Sequence, residues 1–245
     1  MRDIDGDTAA ITGASSGIGE ATARELASAG VDLALGARRE ERLAELAQEL
    51  RAAHGVAVEP VAVDVTDREA VDAFVATAVD ALGRLDGVVV NAGIGLPGDV
   101  ESMPDDDYRA MMDVNVDGAF YTARAALPHL RESAGTLVFV ASFAGEYPRP
   151  GNPVYAATKW WVRGFAHSLE GDVGADGVAV SVINPTEVRT EFASEHGEPF
   201  EERFESGDVT DPTAVADGVR FCLSQAGTDT VSELDLYRRD KFAGW

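Results

Sequence analysis

Short apolar runs of strand type alternate with helical stretches along the whole chain, and this alternation restricts the fold more than any other feature. Buried strands separated by crossover helices are typical of a parallel sheet with helices on both faces. The 245 residues contain no internal repeat, low-complexity tract or linker, and a chain of this length can form one large core. The sequence therefore predicts an α/β fold, a doubly wound parallel sheet in a single domain that spans residues 1–245.

The pattern predicts seven strands and six helices. The predicted strands are residues 8–12, 31–37, 57–63, 87–90, 135–141, 178–183 and 232–237. The predicted helices are residues 17–29, 40–53, 67–82, 105–130, 154–173 and 212–225. Ligands of such sheets bind outside the carboxyl ends of the strands, so we expect the functional residues just after the strands.

The chain is strongly acidic, with 43 acidic against 20 basic residues and a formal net charge of −23. Only Lys159 and Lys241 are lysines, and the other 18 cations are arginines. Dispersed acid of this amount destabilises a fold by self-repulsion unless salt screens it, and it repels polyanions. The composition predicts a halophilic protein that binds neither nucleic acid nor membranes. An ordinary acidic protein from a GC-rich genome is the alternative.

Nothing in the sequence points to export or to insertion in a membrane. The first residues lack the basic and apolar regions of a secretory signal, and no apolar run is long enough for a membrane span. The single cysteine, Cys222, cannot form an internal disulfide and is expected to pack in the core. We expect a cytoplasmic protein without a metal site.

A glycine-rich segment follows the first predicted strand and opens the first predicted helix. Residues 12–19 read Thr-Gly-Ala-Ser-Ser-Gly-Ile-Gly, with the spacing G-x-x-x-G-x-G. Glycines at such a turn let the backbone approach a pyrophosphate, and the helix N-terminus offers free N–H groups. The segment predicts the cradle of a nicotinamide dinucleotide in a Rossmann-type fold, although an ordinary strand-to-helix turn is the alternative. The predicted cradle residues are Gly13, Ser15, Ser16, Gly17, Ile18 and Gly19.

The second predicted strand ends in Arg38 and Arg39 and not in an acidic residue. Enzymes that use NAD commonly place a carboxylate about 20 residues after the glycines, where it accepts a hydrogen bond from the ribose 2′-hydroxyl. An arginine can instead pair with the 2′-phosphate of NADP. We therefore predict NADP (NADPH) as the cofactor and not NAD. A solvated helix start is the alternative role of the two arginines.

Two further strand ends carry candidate cofactor contacts. Asp64 and Val65 follow the third strand, where Asp64 can accept a hydrogen bond from the adenine amino group or act as an ordinary turn residue. Asn91, Ala92 and Gly93 follow the fourth strand. Small residues there leave room for the adenine ribose, and Asn91 can lock the turn.

Four polar residues predict a proton-transfer centre. Tyr155 and Lys159 lie four apart on a predicted helix, which puts both side chains on one face. A phenol is a poor acid or base at neutral pH, but a nearby ammonium lowers its pKa. Ser142, 13 residues before Tyr155, can hydrogen-bond a substrate oxygen. Asn115, inside the predicted helix 105–130, could either hold a water or bend that helix.

Together these segments resemble the classical short-chain dehydrogenase/reductase family, over nearly the whole chain. The resemblance implies a tetrad in which Tyr155 is the general acid/base and Ser142 orients and polarises a carbonyl. It implies that Lys159 binds the nicotinamide ribose and lowers the pKa of Tyr155. Asn115 would hold a water of a proton relay through Lys159. The implied reaction interconverts a ketone or aldehyde with a secondary or primary alcohol by hydride transfer.

The loop after the sixth predicted strand departs from the family pattern at one position. Pro185, Val188 and Thr190 match, but Thr186 stands where the family has glycine, and its side chain can crowd the nicotinamide or reshape the substrate mouth. Residues 187–208 carry no strand pattern and are expected to form a substrate lid.

The resemblance implies a small carbonyl or alcohol compound as the substrate. Residues 146–151 and 232–234 are loosely similar to NADP-dependent family members that act on hydroxy acids and other small alcohols. Arg149 and Arg189 could meet a substrate carboxylate or could equally be surface cations. The family usually forms homodimers or homotetramers, so we expect one of Trp160 and Trp161 to pack in the core and the other against a second subunit.

Three other functions remain open at the level of sequence. A catalytically silent cofactor sensor of the same fold would typically lack the tyrosine or the lysine, and both are present. An NAD-dependent dehydrogenase would differ at the adenosine end only. An epimerase or dehydratase that works through a transient ketone would consume no cofactor.

Overall fold

Seven short segments form one parallel sheet, whose central strands are buried along their whole length. The structure, a computed structural model, describes residues 1–192 and 199–243. Its strands are β1 (Thr8–Thr12), β2 (Asp32–Ala37), β3 (Val58–Ala62), β4 (Gly87–Val90), β5 (Thr136–Val140), β6 (Ala179–Pro185) and β7 (Glu233–Leu236). They pair in the order β3-β2-β1-β4-β5-β6-β7, and every pairing is parallel. The predicted doubly wound sheet is confirmed, with strand ends that differ from the prediction by at most two residues.

Helices cover both faces of this sheet. They are α1 (Gly17–Ser28), α2 (Glu40–His54), α3 (Arg68–Leu82), α4 (Asp105–Met112), α5 (Gly118–Ser133), α6 (Pro153–Val173), α7 (Phe200–Arg203) and α8 (Pro212–Leu223). Successive residues of a strand point to opposite faces. Ile11 of β1 therefore packs in the layer that contains α1, α2 and α8, whereas Ala10 packs in the layer of α3, α5 and α6. Cys222 is buried in the first layer, as predicted.

Local signals begin and end the helices near the predicted positions. Gly30 has a φ of +82° between α1 and β2, a conformation that favours glycine. The Asp67 carboxylate accepts hydrogen bonds from the first N–H groups of α3, and Pro212 lies in the first turn of α8. These signals direct each strand end toward the same edge of the sheet.

The prediction of one continuous helix over residues 105–130 is wrong in its interior. A π-helical segment, Asp113–Asp117, separates α4 from α5. At its centre the Asn115 side chain hydrogen-bonds both backbone groups of Ile94. A π turn depends on such tertiary contacts, so the hydrophobic periodicity of the sequence does not reveal it.

The described residues of the expected lid, 187–192 and 199–208, follow the carboxyl end of β6 along the chain. They contain α7 and an isolated bridge between Val188 and Thr210; residues 193–198 lie outside the described residues. Within the two described ranges, every helix is too short or too polar to traverse a lipid bilayer.

Candidate active site

One cavity of about 680 Å³ lies along the carboxyl ends of the strands, a volume that suits a cofactor with a small substrate. It receives side chains from the loops after β1, β2, β3, β4, β5 and β6, and from α6. All the predicted cofactor and catalytic residues line it except Gly19 and Asn115, and these two support the cavity wall from behind.

The glycine segment forms a tight turn that only glycine can make. Gly13 has a φ of +69°, and a Cβ there would lie 2.9 Å from the Ala92 Cα. A Cβ on Gly19 would lie 2.2 Å from the Gly13 carbonyl oxygen. Asn91 locks this turn as expected, because its side-chain amide donates to the carbonyls of Thr12 and Gly13. The result is a bare backbone surface in front of the N-terminus of α1, which fits a dinucleotide pyrophosphate.

Arginines at the start of α2 connect this turn to the loop after β6. Arg39 donates to the hydroxyls of Ser15 and Ser16. It also donates to the Glu191 carboxylate at 3.0 Å, and Arg42 binds both oxygens of that carboxylate at 2.8 and 2.9 Å. Hydrogen bonds from Arg42, and then from Arg39, lower the pKa of Glu191.

The adenosine end of the cavity is lined by Arg38, Asp64 and Val65. Arg38 is exposed at the end of β2, where a 2′-phosphate would bring a negative charge. Asp64 is a turn residue, because its Oδ1 accepts from both the backbone and the hydroxyl of Thr66. Its position on the cavity wall also leaves it available to an adenine amino group.

Tyr155 and Ser142 lie next to each other on the cavity wall, where the Ser142 hydroxyl hydrogen-bonds the Tyr155 phenol. Ser142 caps a short 3-10 turn, Phe143–Gly145, and its Oγ accepts a hydrogen bond from the Ala144 N–H. Its own hydroxyl proton is therefore available to an oxygen in the cavity. Burial raises the pKa of Tyr155 above its usual value, while the Ser142 hydroxyl and the Arg149 charge act to lower it.

Lys159 is buried on the same wall, one helical turn after Tyr155. Its Nζ donates to the Val140 carbonyl at 3.0 Å and lies 5.9 Å from the centroid of the Tyr155 ring. Burial lowers the pKa of Lys159 to about 8. Burial of the ring outweighs the groups that lower the phenol's pKa, so the lowering that we expected from Lys159 stays a prediction.

Asn115 supports the cavity wall without lining it. Its amide donates to the Ile94 carbonyl at 2.9 Å and to the Thr158 hydroxyl at 3.0 Å, while its Oδ1 accepts from the Ile94 N–H. A π-helical segment interrupts the helix at Asn115, and the role of holding a water stays a prediction. Both amide protons are used inside the protein, so only the second lone pair of Oδ1 remains for a water.

Pro185 ends β6, and the loop after it carries Thr186, Val188 and Thr190 along the cavity. Thr186 is buried, and its Oγ1 accepts from the Arg238 N–H at 3.4 Å and lies 3.5 Å from the Thr210 hydroxyl. These contacts hold the extra side chain toward the C-terminal segment. Its backbone N–H bonds the end of β7, so Thr186 joins the loop to that segment.

This arrangement of glycine turn, serine, tyrosine and lysine matches a known family along most of the chain. The family model described as "short chain dehydrogenase" matches residues 7–201. The chain belongs to the short-chain dehydrogenase family. It is accordingly an oxidoreductase with a seven-stranded Rossmann-type fold.

Relatives within the family share most of this chain. Sulfoacetaldehyde reductase 2 of Chromohalobacter salexigens is 39% identical over 189 residues, which are 76% of this chain and 74% of the relative. An alcohol dehydrogenase from the archaeon Thermococcus sibiricus, solved with 5-hydroxy-NADP, is 34% identical with a TM-score of 0.86, covering 94% of this chain and 95% of that one. A 3-ketoacyl-(acyl-carrier-protein) reductase from Brucella melitensis, solved with NADH, is 30% identical with a TM-score of 0.86. The match covers 96% of this chain and 98% of that one. The family cofactor is therefore a nicotinamide dinucleotide, of either kind.

The substrate end of this short-chain dehydrogenase contains charged residues that sequence reasoning missed or left open. Arg149 lines the cavity and donates to Glu187 at 2.8 Å. Lys241, from the C-terminal segment, also lines the cavity and bonds both oxygens of Glu187 at 2.7 and 2.9 Å. Arg189 instead donates to the carbonyls of Glu201 and Phe204 and so supports α7. The rarity of lysine in the chain was the one sequence signal for Lys241.

Proposed function

We propose that this protein is an NADP(H)-dependent oxidoreductase that interconverts a ketone or aldehyde with the corresponding alcohol. The observation that carries this proposal is the convergence of Ser142, Tyr155 and Lys159 on one cavity wall, beside a glycine turn built for a dinucleotide. The names of the relatives from Chromohalobacter salexigens and Thermococcus sibiricus, an aldehyde reductase and an alcohol dehydrogenase, support the same reaction class.

In the proposed mechanism the protein handles the proton and orients the carbonyl. When bound, the nicotinamide supplies or accepts the hydride. The Ser142 hydroxyl donates to the substrate oxygen, and Tyr155 gives that oxygen a proton during reduction or takes it during oxidation. A raised pKa keeps the Tyr155 phenol protonated at neutral pH, which suits its role as the acid of the reductive direction.

Lys159 and Asn115 have supporting roles in this proposal. Lys159 uses one of its three donors on the Val140 carbonyl, which leaves two for the hydroxyls of the nicotinamide ribose. A proton relay through Lys159 would continue to a water held at the π-helical segment by the free lone pair of Asn115. The buried hydrogen bonds of Asn115 fix that segment against the turn after β4.

The preference for NADP rests on the two arginines at the end of β2. Arg38 and Arg39 bring two positive charges to the adenosine end, where an NAD enzyme commonly has a carboxylate. NAD is the competing choice, since one of the solved relatives holds NADH. Arg38→Ala should weaken NADPH binding at least about tenfold by removing a charge-assisted contact, while NADH binding changes little.

We also propose how the chain is organised around this site. Residues 1–245 act as one cofactor-binding domain, with 187–208 as a lid over the substrate. The protein is proposed to be a cytoplasmic, salt-adapted homodimer or homotetramer. Trp161 is partly exposed and stacks on Phe165 with ring centroids 4.8 Å apart, beside the exposed Phe120 of α5. Trp160 is exposed as well, so neither tryptophan is the core residue that we expected. Sedimentation would test whether this face of α5 and α6 joins two subunits.

Turnover against a carbonyl panel tests the proposal. NADPH and NADH are titrated by fluorescence in 2 to 3 M KCl, and loss of 340 nm absorbance is followed with ketones, aldehydes, quinones and keto acids. Net NADPH consumption supports the proposed reaction, and interconversion without consumption would favour an epimerase or dehydratase. Tight cofactor binding with no turnover on any class would favour the sensor.

A further inference from the structure

The active-site cavity has the opposite charge balance to the rest of the molecule. The whole chain has a formal net charge of −23. Among its described lining residues, however, cations outnumber anions: they are Arg38, Arg39, Arg149, Lys159 and Lys241 against Asp64, Glu187 and Glu191. Both lysines of the chain therefore contribute to this one cavity.

At the substrate end, one carboxylate lies between several cations. Glu187 accepts hydrogen bonds from Arg149 and Lys241, and the Arg238 guanidinium lies 4.0 Å from it. Burial acts to raise the pKa of Glu187, but the bonds from Lys241, its own backbone and Arg149 outweigh this effect and lower the pKa to about 2. The carboxylate is thus always ionised, and it neutralises one charge of a larger positive set.

These cations lie close to the reacting groups. Lys241 is buried with its Nζ 4.5 Å from the centroid of the Phe143 ring, which directly follows Ser142. The positive charge of Arg149 is close enough to Tyr155 to act to lower the pKa of its phenol. Asn152 lines the same end of the cavity, and its buried Oδ1 has no hydrogen-bond partner within the described ranges.

A purely structural role explains only part of this arrangement. A Lys241–Glu187 pair would be enough to attach the C-terminal segment, and buried lysines are normally paired in this way. Attachment of that segment does not explain why a second cation, Arg149 from the loop before α6, binds the same carboxylate at the cavity surface. An unbalanced positive charge in a partly buried cavity attracts anions strongly, because solvent screens it little.

The space beside Tyr155 restricts the size of the occupant. The Phe192 ring lies 5.8 Å from the Tyr155 ring, and a Cβ on Gly95 would lie 2.6 Å from Phe192. Phe200 packs on Phe192 from the other side. The rings of Phe192 and Phe200 thus narrow the cavity beside Tyr155, which favours a small substrate.

We propose that the substrate is a small aldehyde or ketone with an anionic group, a carboxylate or sulfonate, that Arg149 and Lys241 bind while Glu187 positions both cations. This inference rests on the proposed function. In the reaction the carbonyl carbon gains a hydride from the reduced cofactor and the oxygen gains a proton from Tyr155. The anionic group is unchanged.

A matched pair of substrates tests the role of charge. The probes are 4-oxobutanoate, its neutral methyl ester and 3-oxopropane-1-sulfonate, each with NADPH at one fixed ionic strength. The wild-type enzyme should have a kcat/KM at least tenfold higher for one of the anions than for the ester. A preference for the carboxylate or for the sulfonate identifies the group. Equal or faster turnover of the ester would overturn the proposal while leaving the proposed reaction intact.

Variants locate the preference in the two cations. Lys241→Met and Arg149→Met should each lower the ratio of anion to ester kcat/KM at least fivefold, whereas Lys241→Arg should keep it within threefold. Arg131→Met is the matched control, because Arg131 pairs with Asp176 on the surface and does not line the cavity. If Lys241 only attached the C-terminal segment, both substrates would lose rate equally and the ratio would not move.

Direct binding decides the matter even without turnover. Butanoate and its neutral amide are titrated against the enzyme–NADP complex. Binding of butanoate at least fivefold tighter, lost in Lys241→Met, supports the anion site. No turnover on any carbonyl would count against the proposed reaction only, whereas indifference between butanoate and the amide would overturn the anion site.

Discussion

The Lys159 ammonium is buried, and the burial of this charge lowers the stability of the folded protein. The side chain is buried beside the last residue of β5, and one of its donors bonds the Val140 carbonyl. Its pKa falls to about 8 from a usual 10.5. Below pH 8 the folded protein therefore holds a charge that the unfolded chain would solvate better, at a cost of roughly 3 kcal/mol.

Replacing this lysine should stabilise the protein without cofactor. Lys159→Met should raise the free energy of unfolding at pH 7 by about 1–2 kcal/mol, which is less than the full cost because the Val140 carbonyl loses its partner. Between pH 8 and 10.5 the lysine is neutral in the folded protein and charged in the unfolded chain. The free energy of unfolding of the wild-type protein therefore rises with pH in this range, as the cost of the buried charge disappears. The advantage of the variant should therefore shrink from pH 7 to pH 10. Denaturant unfolding of the two proteins at both values measures it, and a variant less stable at pH 7 would refute the account.

Contacts between distant residues that belong to no motif were the ones that the sequence could not predict. The glycine turn, Ser142, Tyr155 and Lys159 were predicted, because short spacings and strand ends restrict their places. Lys241 and Glu187 meet across 54 residues, and no local pattern encodes such a contact. The raised pKa of Tyr155 also depends on how the whole cavity buries the ring, which spacing alone does not give.

At the scale of elements, the Glu191 carboxylate joins the segment after β6 to the start of α2. Glu191 binds Arg39 and Arg42 of the α2 start, and Arg39 in turn contacts the serines of the glycine turn. Arg39 is also a candidate ligand of the 2′-phosphate. The Glu191 carboxylate and that phosphate therefore compete for the same guanidinium.

Removal of the competing charge should favour NADPH selectively. Glu191→Gln should bind NADPH about three- to tenfold more tightly, since a charge-assisted contact of about 1 kcal/mol is no longer displaced, and NADH binding should stay within twofold. Fluorescence titration of both cofactors measures this, with Glu25→Gln as the control, because Glu25 pairs with Arg220 far from the cavity. Weaker NADPH binding in Glu191→Gln would show that the carboxylate supports the site.

Elements whose ends carry local signals were predicted well, and those shaped by tertiary contacts were not. The strands and five of the six predicted helices agree with the structure because apolar runs, capping residues and glycines fix them. The π-helical segment within 105–130 follows from the contact of Asn115 with Ile94. The four-residue α7 is supported by the Arg189 guanidinium, which donates to the carbonyls of Glu201 and Phe204. Hydrophobic periodicity does not predict such a contact.

Over the whole molecule, acidic residues outnumber basic ones by more than two to one. Arginines form surface pairs with part of this acid, as in Arg24 with Glu20 and Glu49. The remaining carboxylates repel one another, and exposed repulsion of this kind weakens as salt shortens the screening length. We therefore expect salt to have opposite effects on the surface and on the cavity: it should stabilise the fold and weaken the electrostatic attraction of the proposed anionic substrate.

Salt should therefore stabilise the cofactor-free protein. Between 0.1 and 2 M KCl the melting temperature should rise by roughly 5–10 °C, equivalent to about 2 kcal/mol for a chain of this size. Thermal scans without nucleotide measure this, since bound cofactor would add its own salt dependence. A midpoint that stays constant from 0.1 M upward would contradict the proposed salt adaptation.

The exchange of Tyr155 for phenylalanine tests the central claim most directly. Tyr155→Phe keeps the ring against Phe192 but removes the proton that the mechanism transfers. We predict that the variant binds NADPH within threefold of the wild type and has a kcat at least about 100-fold lower on the best carbonyl substrate. The control is Tyr108→Phe, which changes an exposed tyrosine and should leave kcat unaffected. A Tyr155→Phe enzyme that keeps more than a tenth of wild-type turnover would contradict the assignment of Tyr155 as the acid.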